Sequence, residues 1–350
     1  MSVQKTIATK LFVISDTHGQ RFPAQSFPQL NDIDVVIHCG DLTEESKLVE
    51  HAATIKLLQD IEAPLKLVIA GNHDFTLDPP VFQSILRSSG LLSEADEDVV
   101  HREYGSYGEA TAMYTKAEGI TFLHEGTHQF VLSNGAKLTV YASPFTPSTA
   151  ADWGFQYVPK PVQPQAAESF ANDGHSWEIP ESVDIAITHS PPYGILDRAN
   201  GAVRRGSHGL FAAIEKARPK LHCFGHVHQG WGAKLVAWRD PNTITAIDGS
   251  LSSDQHSTPA SHLTHIDNNQ SQLIETLASL TASRFDTEEA IKQKEEKLQT
   301  YRKARVCEAR CEDDKGANTL FVNAAIQGQG EGPDAFHLPW VIDIKLPRAE

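Results

Sequence analysis

The feature that most constrains the fold is a series of short apolar runs, each ending in polar residues with reactive side chains. Residues 65–70 form one such run, and the tetrapeptide Gly71-Asn72-His73-Asp74 follows it directly. A plain turn uses the glycine and tolerates the asparagine, but it needs neither an imidazole nor a carboxylate. A short apolar run bounded by turn residues is typical of a buried strand. The tetrapeptide therefore suggests a functional site at the end of that strand, provided that the rest of the chain supplies partners.

The order of these runs predicts a layered fold. Strands are predicted at residues 9–15, 34–38 and 65–70, and residues 44–59 show helical spacing between the last two. This order is typical of a sheet covered by helices, so the predicted fold class is α/β in an α+β layered arrangement. Further strands are predicted at residues 119–123, 129–132, 137–142, 183–188, 220–224, 233–238, 243–247, 319–325 and 340–344.

Two segments are predicted to be insertions into a single domain that spans residues 1–350. The segment 157–181 includes a stretch rich in Pro and Gln, which favours a surface loop. The segment 255–316 contains two helical patterns, at 269–281 and 286–312. Their apolar stripe is thin, so a solvated helical excursion is expected there.

Charge and cysteine content exclude several classes of protein. The chain has 350 residues and a formal net charge of −15, which disfavours binding to nucleic acid or acidic membranes because their phosphates would be repelled. Four cysteines make no disulfide framework, and Cys307 and Cys311, predicted on one helix, have no second Cys/His pair nearby in the sequence. The sequence starts without an apolar signal segment and has no run long enough to span a membrane. A cytoplasmic location is therefore expected.

Five short polar stretches stand at the C-terminal ends of predicted strands. In an open α/β sheet these ends converge on one edge, where ligands bind. Any one of the stretches could arise by chance, but five of them at strand ends could hardly do so. They would bring together seven side chains that bind metals through nitrogen or oxygen, namely Asp16, His18, Asp41, Asn72, His189, His226 and His228.

Seven ligands of this kind suit two divalent ions with about four ligands each, if one carboxylate bridges. Mn²⁺, Fe and Zn²⁺ all accept a mixture of imidazole and carboxylate. None of the seven residues is a cysteine, which argues against a thiolate site. Two ions about 3.5–4 Å apart can lower the pKa of a bridging water and clamp both oxygens of an in-line displacement. This chemistry points to phosphoester hydrolysis.

His73 is left outside this ligand set. It could face the substrate and protonate the leaving oxygen, and Asp74 would keep its imidazole oriented and charged. His38 and His222 also lie at predicted strand positions, where we expect packed structural histidines. Together these expectations assign His73 and Asp74 to catalysis and the seven other residues to metal binding.

The five stretches, taken in order, resemble the calcineurin-like metallophosphoesterase superfamily, whose pattern is D-x-H, G-D, G-N-H-[D/E], H and G-H-x-H. Residues 37–43, 188–192, 222–228 and 321–325 are similar to the small metallophosphoesterase-domain-containing proteins of animals and their fungal and bacterial relatives. The resemblance implies a two-sheet β-sandwich flanked by helices.

The resemblance also implies a role for each site residue. The first metal would be held by Asp16, His18, Asp41 and His228, and the second by Asp41, Asn72, His189 and His226. Asp41 would bridge the two ions, His73 would be the catalytic imidazole, and Asp74 its partner. Two Mn²⁺ ions are the expected cofactors, with Fe or Zn²⁺ as alternatives.

The chain departs from one branch of the superfamily. Protein Ser/Thr phosphatases continue G-D with an Asp-Arg pair whose arginine contacts phosphate, whereas Asp41 is followed here by Leu42-Thr43-Glu44-Glu45. A protein phosphatase is therefore disfavoured. Arg204 and Arg205 could supply the missing cation, although solvation at the surface is the commoner fate of such a pair.

The expected function is a dinuclear metal-dependent phosphohydrolase that cleaves a small phosphodiester or phosphomonoester by attack of a metal-bridging hydroxide. The alternative is a non-catalytic scaffold or adaptor that retains the fold, although a scaffold has no need of all seven ligands. Neither nucleic acid nor membrane is an expected partner, and the segment 255–316 could bind another protein.

Overall fold

The strands of the computed structural model form two large sheets, with helices on the outer faces. It describes residues 5–22, 28, 30–89, 94–150, 152–160, 173–200, 203–239, 265–312, 315–328 and 336–349. The strands within these ranges are β1 (Thr6–Ile14), β2 (Val35–His38), β3 (Leu65–Val68), β4 (Ile120–Phe122), β5 (Gly126–Val131), β6 (Lys137–Ser143), β7 (Thr146–Pro147), β8 (Gln156–Tyr157), β9 (Ile185–Thr188), β10 (Leu221–Phe224), β11 (Gly232–Trp238), β12 (Ile266–Thr276), β13 (Cys307–Arg310), β14 (Asn318–Asn323) and β15 (Trp340–Pro347). The predicted fold class, a two-sheet sandwich flanked by helices, is confirmed.

The first sheet has the strand order β13-β15-β1-β2-β3-β4, and the second has the order β12-β11-β14-β10-β9-β6-β5. Strands β1 to β4 run parallel to one another, and so do β6, β9, β10 and β14. The carboxyl ends of the parallel strands within each sheet therefore point to the same edge.

The helices are α1 (Leu48–Gln59), α2 (Pro79–Ser88), α3 (Glu94–Tyr104), α4 (Glu109–Lys116), α5 (His208–Ala217), α6 (Leu277–Leu280) and α7 (Glu288–Ala304). Helices α1 and α4 cover the outer face of the first sheet, and α5 covers that of the second. Two 3₁₀ turns lie at predicted site residues: Phe75–Leu77 follows Asp74 directly, and His228–Gly230 begins at His228.

Alternation along the central strands builds the core. In β1, Leu11 and Val13 pack into the interior between the sheets, whereas Phe12 and Ile14 pack under the helices. All four are fully buried, because both faces of the sheet are covered. Burial on both faces explains why these strands appear in the sequence as nearly continuous apolar runs.

The late segment differs from its prediction. The helix predicted at 269–281 is wrong, because residues up to Thr276 form β12, which pairs with β11. The second helix ends at Ala304, and residues that follow it form β13, which pairs with β15. Cys307 and Cys311 are buried in the interior of the sandwich, so tertiary packing overrides the helical pattern here.

Other expectations are left open. The strand predicted at 243–247 and most of the Pro/Gln-rich stretch lie outside the described residues. The single-domain division of the chain, with its two insertions, stays a prediction. No helix among the described residues is long and apolar enough to cross a membrane, and the cytoplasmic location stays a prediction too.

Helix α7 is solvated, as expected for its thin apolar stripe, and none of its residues is buried. Polar contacts tie it to β12, since Lys297 forms an ion pair with Glu275 and the Tyr301 hydroxyl donates to the same carboxylate at 3.0 Å. Leu298 and Tyr301 also pack, partly buried, against the core. We expect that replacing Glu288–Ala304 by the same number of Gly and Ser residues leaves a soluble protein with unchanged metal content. Removal of 266–310, which strips β11 and β15 of their edge partners, should give insoluble protein. Expression, solubility and elemental analysis of the two variants check this, and an insoluble α7 replacement would contradict it.

A second prediction concerns acid stability. The ring of His51 on α1 is fully buried, with its nitrogens 3.1 Å from the Tyr114 hydroxyl and 3.0 Å from the Thr76 hydroxyl. Burial lowers the pKa of His51 to about 3, whereas the unfolded chain binds this proton near pH 6.5. Its contribution to stability is therefore present above pH 6.5 and is lost as the pH falls toward 3.

Between pH 7 and pH 5 this one group should lower the free energy of unfolding by about 2 kcal/mol. In His51→Gln, which keeps a donor and an acceptor, the pH-dependent loss should be smaller by that amount. Urea unfolding of metal-free protein at both pH values measures it, with the exposed His101→Gln as control. Equal pH dependence in wild type and His51→Gln would contradict the assignment.

Candidate metal centre

The ends of five strands position the predicted ligands. Asp16 and His18 follow β1, Asp41 follows β2, and Asn72 follows β3 of the first sheet. In the second sheet, His189 follows β9, while His226 and His228 follow β10. A bridge between Ser15 and Ala325 joins the two sheets beside these loops. The structure therefore brings all seven predicted ligands together.

Most of the predicted ligand atoms fall into two groups that share no residue. Those of Asp16, His18 and His228 lie within 4.8 Å of one another, and so do those of Asp41, His189 and His226. In the second group, Asn72 Oδ1 lies 3.2 Å from His189 Nε2. Apart from Asp41, which was predicted for both sets and falls here in the second group, each group has the members of one predicted set. The ligand roles and the number of ions stay predictions.

Asp41 connects the two groups. Its Oδ2 lies 3.2 Å from His189 Nε2 in one group and 3.9 Å from His18 Nε2 in the other. Its Oδ1 accepts a hydrogen bond from the His73 backbone N–H at 2.9 Å. One carboxylate thus reaches both groups, as a bridging ligand must.

The donor atoms fit divalent metal ions. His18 Nε2 is buried and has no hydrogen-bond partner among the described residues. His189 Nδ1 donates to the Cys39 carbonyl at 2.9 Å, which orients Nε2 toward Asp41 and Asn72. An imidazole held through one nitrogen and facing oxygen ligands through the other is the usual arrangement of a histidine that binds metal.

Two glycines make room for the carboxylates. A Cβ atom at Gly71 would lie 2.3 Å from Oδ1 of Asp41, and one at Gly225 would lie 2.1 Å from Oδ2 of Asp16. Neither glycine adopts a left-handed conformation, so the requirement is space and not backbone freedom. The glycines of these motifs are thus explained by close approach to the ligands.

Four of the predicted ligands have left-handed backbone conformations, with φ of 56° at Asp16, 48° at His18, 51° at Asp41 and 67° at His226. For a residue with a Cβ atom this costs about 1–2 kcal/mol. Such strain is concentrated at functional sites, where the surrounding structure imposes it. The sequence shows no signal for it beyond Asp and His directly after strands.

Each buried carboxylate among the predicted ligands lies beside histidines that shift its pKa. Burial raises the pKa of Asp41, but the neighbouring His189 and His18 outweigh it and hold the pKa well below its usual range. Burial lowers the pKa of His189, but Asp41 outweighs it and raises the pKa to about 9. For Asp16, burial is outweighed by His228, so its pKa also lies below the usual range. Both carboxylates are therefore ionised, as metal ligands require.

His73 lies beside the ligands. Its Nδ1 donates to the Glu44 carbonyl at 2.7 Å, and its ring lies 4.3 Å from the ring of Trp153. A ligand atom of His73 also lies within 4.8 Å of those of His18 and Asp41. Proton donor and additional ligand are both compatible with this placement.

The role predicted for Asp74 as the partner of His73 is wrong. Its two oxygens accept hydrogen bonds from the backbone N–H groups of Leu42 at 3.0 Å, Thr43 at 2.9 Å and Gly71 at 2.8 Å, and from the Thr43 hydroxyl at 2.7 Å. A fully buried carboxylate needs such donors, and these loops have N–H groups to satisfy. Asp74 therefore ties the loops after β2 and β3 together.

His38 and His222 are packed structural histidines, as expected. Both are fully buried, and their Nε2 atoms lie 2.9 Å from the Thr17 hydroxyl and 2.8 Å from the Thr188 hydroxyl. Burial lowers the pKa of each to about 3. Both threonines are chain neighbours of predicted ligands, so these histidines support the ligand loops from behind.

Sequence reasoning missed Glu44 and Trp153. The carboxylate of Glu44 lies 2.8 Å from His18 Nδ1, and Trp153 packs on His73 from a distant loop. Nothing in the sequence indicated that Trp153 contacts His73, because the two residues are far apart along the chain. Glu44 follows shortly after the ligand Asp41, and this proximity was the available signal.

Arg204 and Arg205 line a cavity of about 560 Å³ that His226 also borders. Arg204 donates to the buried carboxylate of Asp197 at 2.6 Å and lies over the ring of Tyr193. Arg205 is exposed at the cavity. The pair therefore borders the site, with the charge of Arg204 balanced by an internal carboxylate.

The calcineurin-like phosphoesterase family matches residues 9–230 of the chain, which is more than half of its length and contains all the predicted ligands. Together with the two-sheet fold and the clustered ligands, this match shows the class of protein. The chain belongs to the calcineurin-like phosphoesterase family.

Individual relatives are distant. Human metallophosphoesterase domain-containing protein 1 is 29% identical over 246 residues, covering 69% of this chain and 66% of the relative. A protein of Emericella nidulans called "Probable rhamnogalacturonate lyase C" is 30% identical over 230 residues, covering 65% of this chain but only 18% of the relative. The chain thus spans less than two thirds of either relative, and the lyase name describes that much longer protein.

Solved structures add little. One has a TM-score of 0.38 at 16% identity, covering 65% of this chain and 86% of its own. The Plasmodium inner-membrane-complex anchor GAP50 has a TM-score of 0.30 at 11% identity, covering 67% and 69%. Such low scores support no argument about individual residues.

Proposed function

We propose that the chain is a metal-dependent phosphoester hydrolase that binds two divalent ions, with Mn²⁺ the best candidate, and cleaves a small phosphodiester or phosphomonoester. The observation that carries the proposal is the position of Asp41, whose Oδ2 reaches both His189 Nε2 and His18 Nε2. A carboxylate shared between two groups of N and O ligands is the feature that a dinuclear site needs and a scaffold does not.

Two divalent ions held there would polarise the phosphoryl oxygens and lower the pKa of a water between them. The chain contributes the spacing, because Asp41 links the two groups and the His226 backbone N–H fixes Asp16 through bonds of 3.1 Å to both oxygens. It also limits access of water, since Asp16, His18, Asp41 and His189 are all buried.

His73 is the proposed proton donor to the leaving oxygen. Its Nδ1–H is committed to the Glu44 carbonyl, so Nε2 is the nitrogen left to exchange a proton with the substrate. General acid catalysis of this kind contributes typically about 10²–10⁴-fold to the rate. Trp153 packs on the ring and restricts its orientation.

The cavity beside His226 is the proposed binding place for the rest of the substrate. Arg205 supplies a cation there for an anionic group, on a chain whose net charge of −15 otherwise repels anions. The same net charge disfavours nucleic acid and acidic membranes as partners. The solvated face of α7 is the proposed surface for binding a protein partner. The proposed location of the protein is the cytoplasm.

Metal content and hydrolysis, measured together, test the proposal. Wild type and the control Asp60→Asn, an exposed carboxylate on the far end of α1, should each bind about two ions and hydrolyse an aryl phosphoester. A chelator should abolish this activity, and Mn²⁺ should restore it. Asp41→Asn should lose both ions, because it alone serves both groups. Absence of metal in reloaded wild type would contradict the site, and two bound ions without hydrolysis of any phosphoester would favour the scaffold.

The leaving group separates a proton donor from a ligand at His73. His73→Ala should keep both ions and lose about 10²–10⁴-fold in kcat with a poor alkoxide leaving group. It should lose much less with nitrophenolate, which departs as the anion without a proton. Elemental analysis and rates for both substrates give the answer, with His101→Ala as control. Loss of metal, or equal loss of rate for both leaving groups, would contradict the role of proton donor.

A further inference from the structure

Glu44 contacts two histidines of the site through two different groups. Its side-chain Oε2 lies 2.8 Å from His18 Nδ1, and its backbone carbonyl accepts the hydrogen bond from His73 Nδ1 at 2.7 Å. The residue stands on the loop between β2 and α1, three positions after Asp41. One residue therefore touches both a predicted ligand and the proposed proton donor.

The carboxylate contact settles which nitrogen of His18 faces the metal site. With Nδ1 against Glu44, the opposite nitrogen Nε2 faces Asp41 Oδ2 at 3.9 Å, where it is buried without a hydrogen-bond partner among the described residues. The Glu44 oxygen lies at hydrogen-bond distance but out of line with the ring N–H.

The neighbouring carboxylates are used differently. Glu45 is exposed and forms an ion pair with Lys47. Glu50, on the first turn of α1, accepts hydrogen bonds from the backbone N–H groups of Glu45 at 3.0 Å and Lys47 at 2.9 Å, which fixes the end of the loop. Glu44 is thus the acidic residue of this loop that is directed at the ligands.

We propose that Glu44 is a positioning residue of the metal centre: its carboxylate orients His18 for metal binding, and its carbonyl orients His73. The inference rests on the proposed function. Carboxylates that bond the outer nitrogen of a ligand histidine fix its orientation and raise its basicity, and their loss typically weakens metal binding about 10–100-fold.

The two contacts can be separated experimentally, because one is made by the side chain and the other by the backbone. A substitution at position 44 removes the contact to His18 and keeps the carbonyl that holds His73. It should therefore change metal affinity while leaving the proposed proton transfer intact. The Glu44 side chain is 51% exposed, so its substitution should not disturb the core.

The experiment measures metal affinity of metal-stripped protein by Mn²⁺ titration calorimetry, for wild type, Glu44→Gln, Glu44→Asp and Glu45→Gln. Glu45→Gln makes the same change of charge one residue away and should bind like wild type. Glu44→Gln should bind one of the two ions about 10–100-fold more weakly. Glu44→Asp keeps the charge but is one methylene too short, so it should be weakened as well. At saturating Mn²⁺, all variants should keep the wild-type ratio of rates for poor and good leaving groups.

Equal affinity of Glu44→Gln and Glu45→Gln would overturn the inference. Wild-type affinity in Glu44→Asp would also overturn it, since charge alone would then account for the effect. A changed leaving-group ratio at saturating metal would show that the side chain acts on His73 as well, which contradicts the division of roles. If wild type itself binds no metal, the proposed function fails. If wild type binds two ions and Glu44→Gln binds them equally well, this inference alone fails.

Discussion

The carboxylate of Asp41 is the contact on which the rest of the site depends. It is buried, and an uncompensated charge there would cost several kcal/mol. Its partners come from both sheets, since His18 follows β1, His73 follows β3 and His189 follows β9. The carboxyl ends of these strands must therefore lie side by side at this point, and the apolar interior between the two sheets holds them there.

The geometry that makes the site is locally unfavourable. The left-handed backbone conformation costs about 1–2 kcal/mol at each predicted ligand that adopts it. At Gly71 and Gly225 the neighbouring carboxylates leave no room for a side chain. The polar network behind the ligands offsets part of this cost. Asp74 joins the loops after β2 and β3, while His38 and His222 hold the threonines next to the ligands. Buried networks of this kind favour a single arrangement, because any change leaves a polar group unpaired.

The sequence predicts which of these side chains come together because each signal is local. An apolar run that stops at Asp16 or His226 reveals both the strand and the residue at its end. Asp74 could not be assigned in this way, since its partners Leu42 and Thr43 are about thirty residues away along the chain. Strand β12 was predicted wrongly for another reason. It lies at the edge of its sheet, and its apolar and polar residues do not alternate regularly. Both errors concern partners that only the tertiary fold supplies.

Residues 42–45, which follow Asp41, occupy the place where protein Ser/Thr phosphatases have the arginine that contacts phosphate. The backbone of Leu42 and Thr43 is committed to Asp74, Glu44 faces His18, and Glu45 is paired with Lys47. None of these positions offers a cation to a phosphate, and Arg204 nearby is balanced by Asp197. On a chain of net charge −15, Arg205 and Lys160 add positive charge to the cavity that His226 borders.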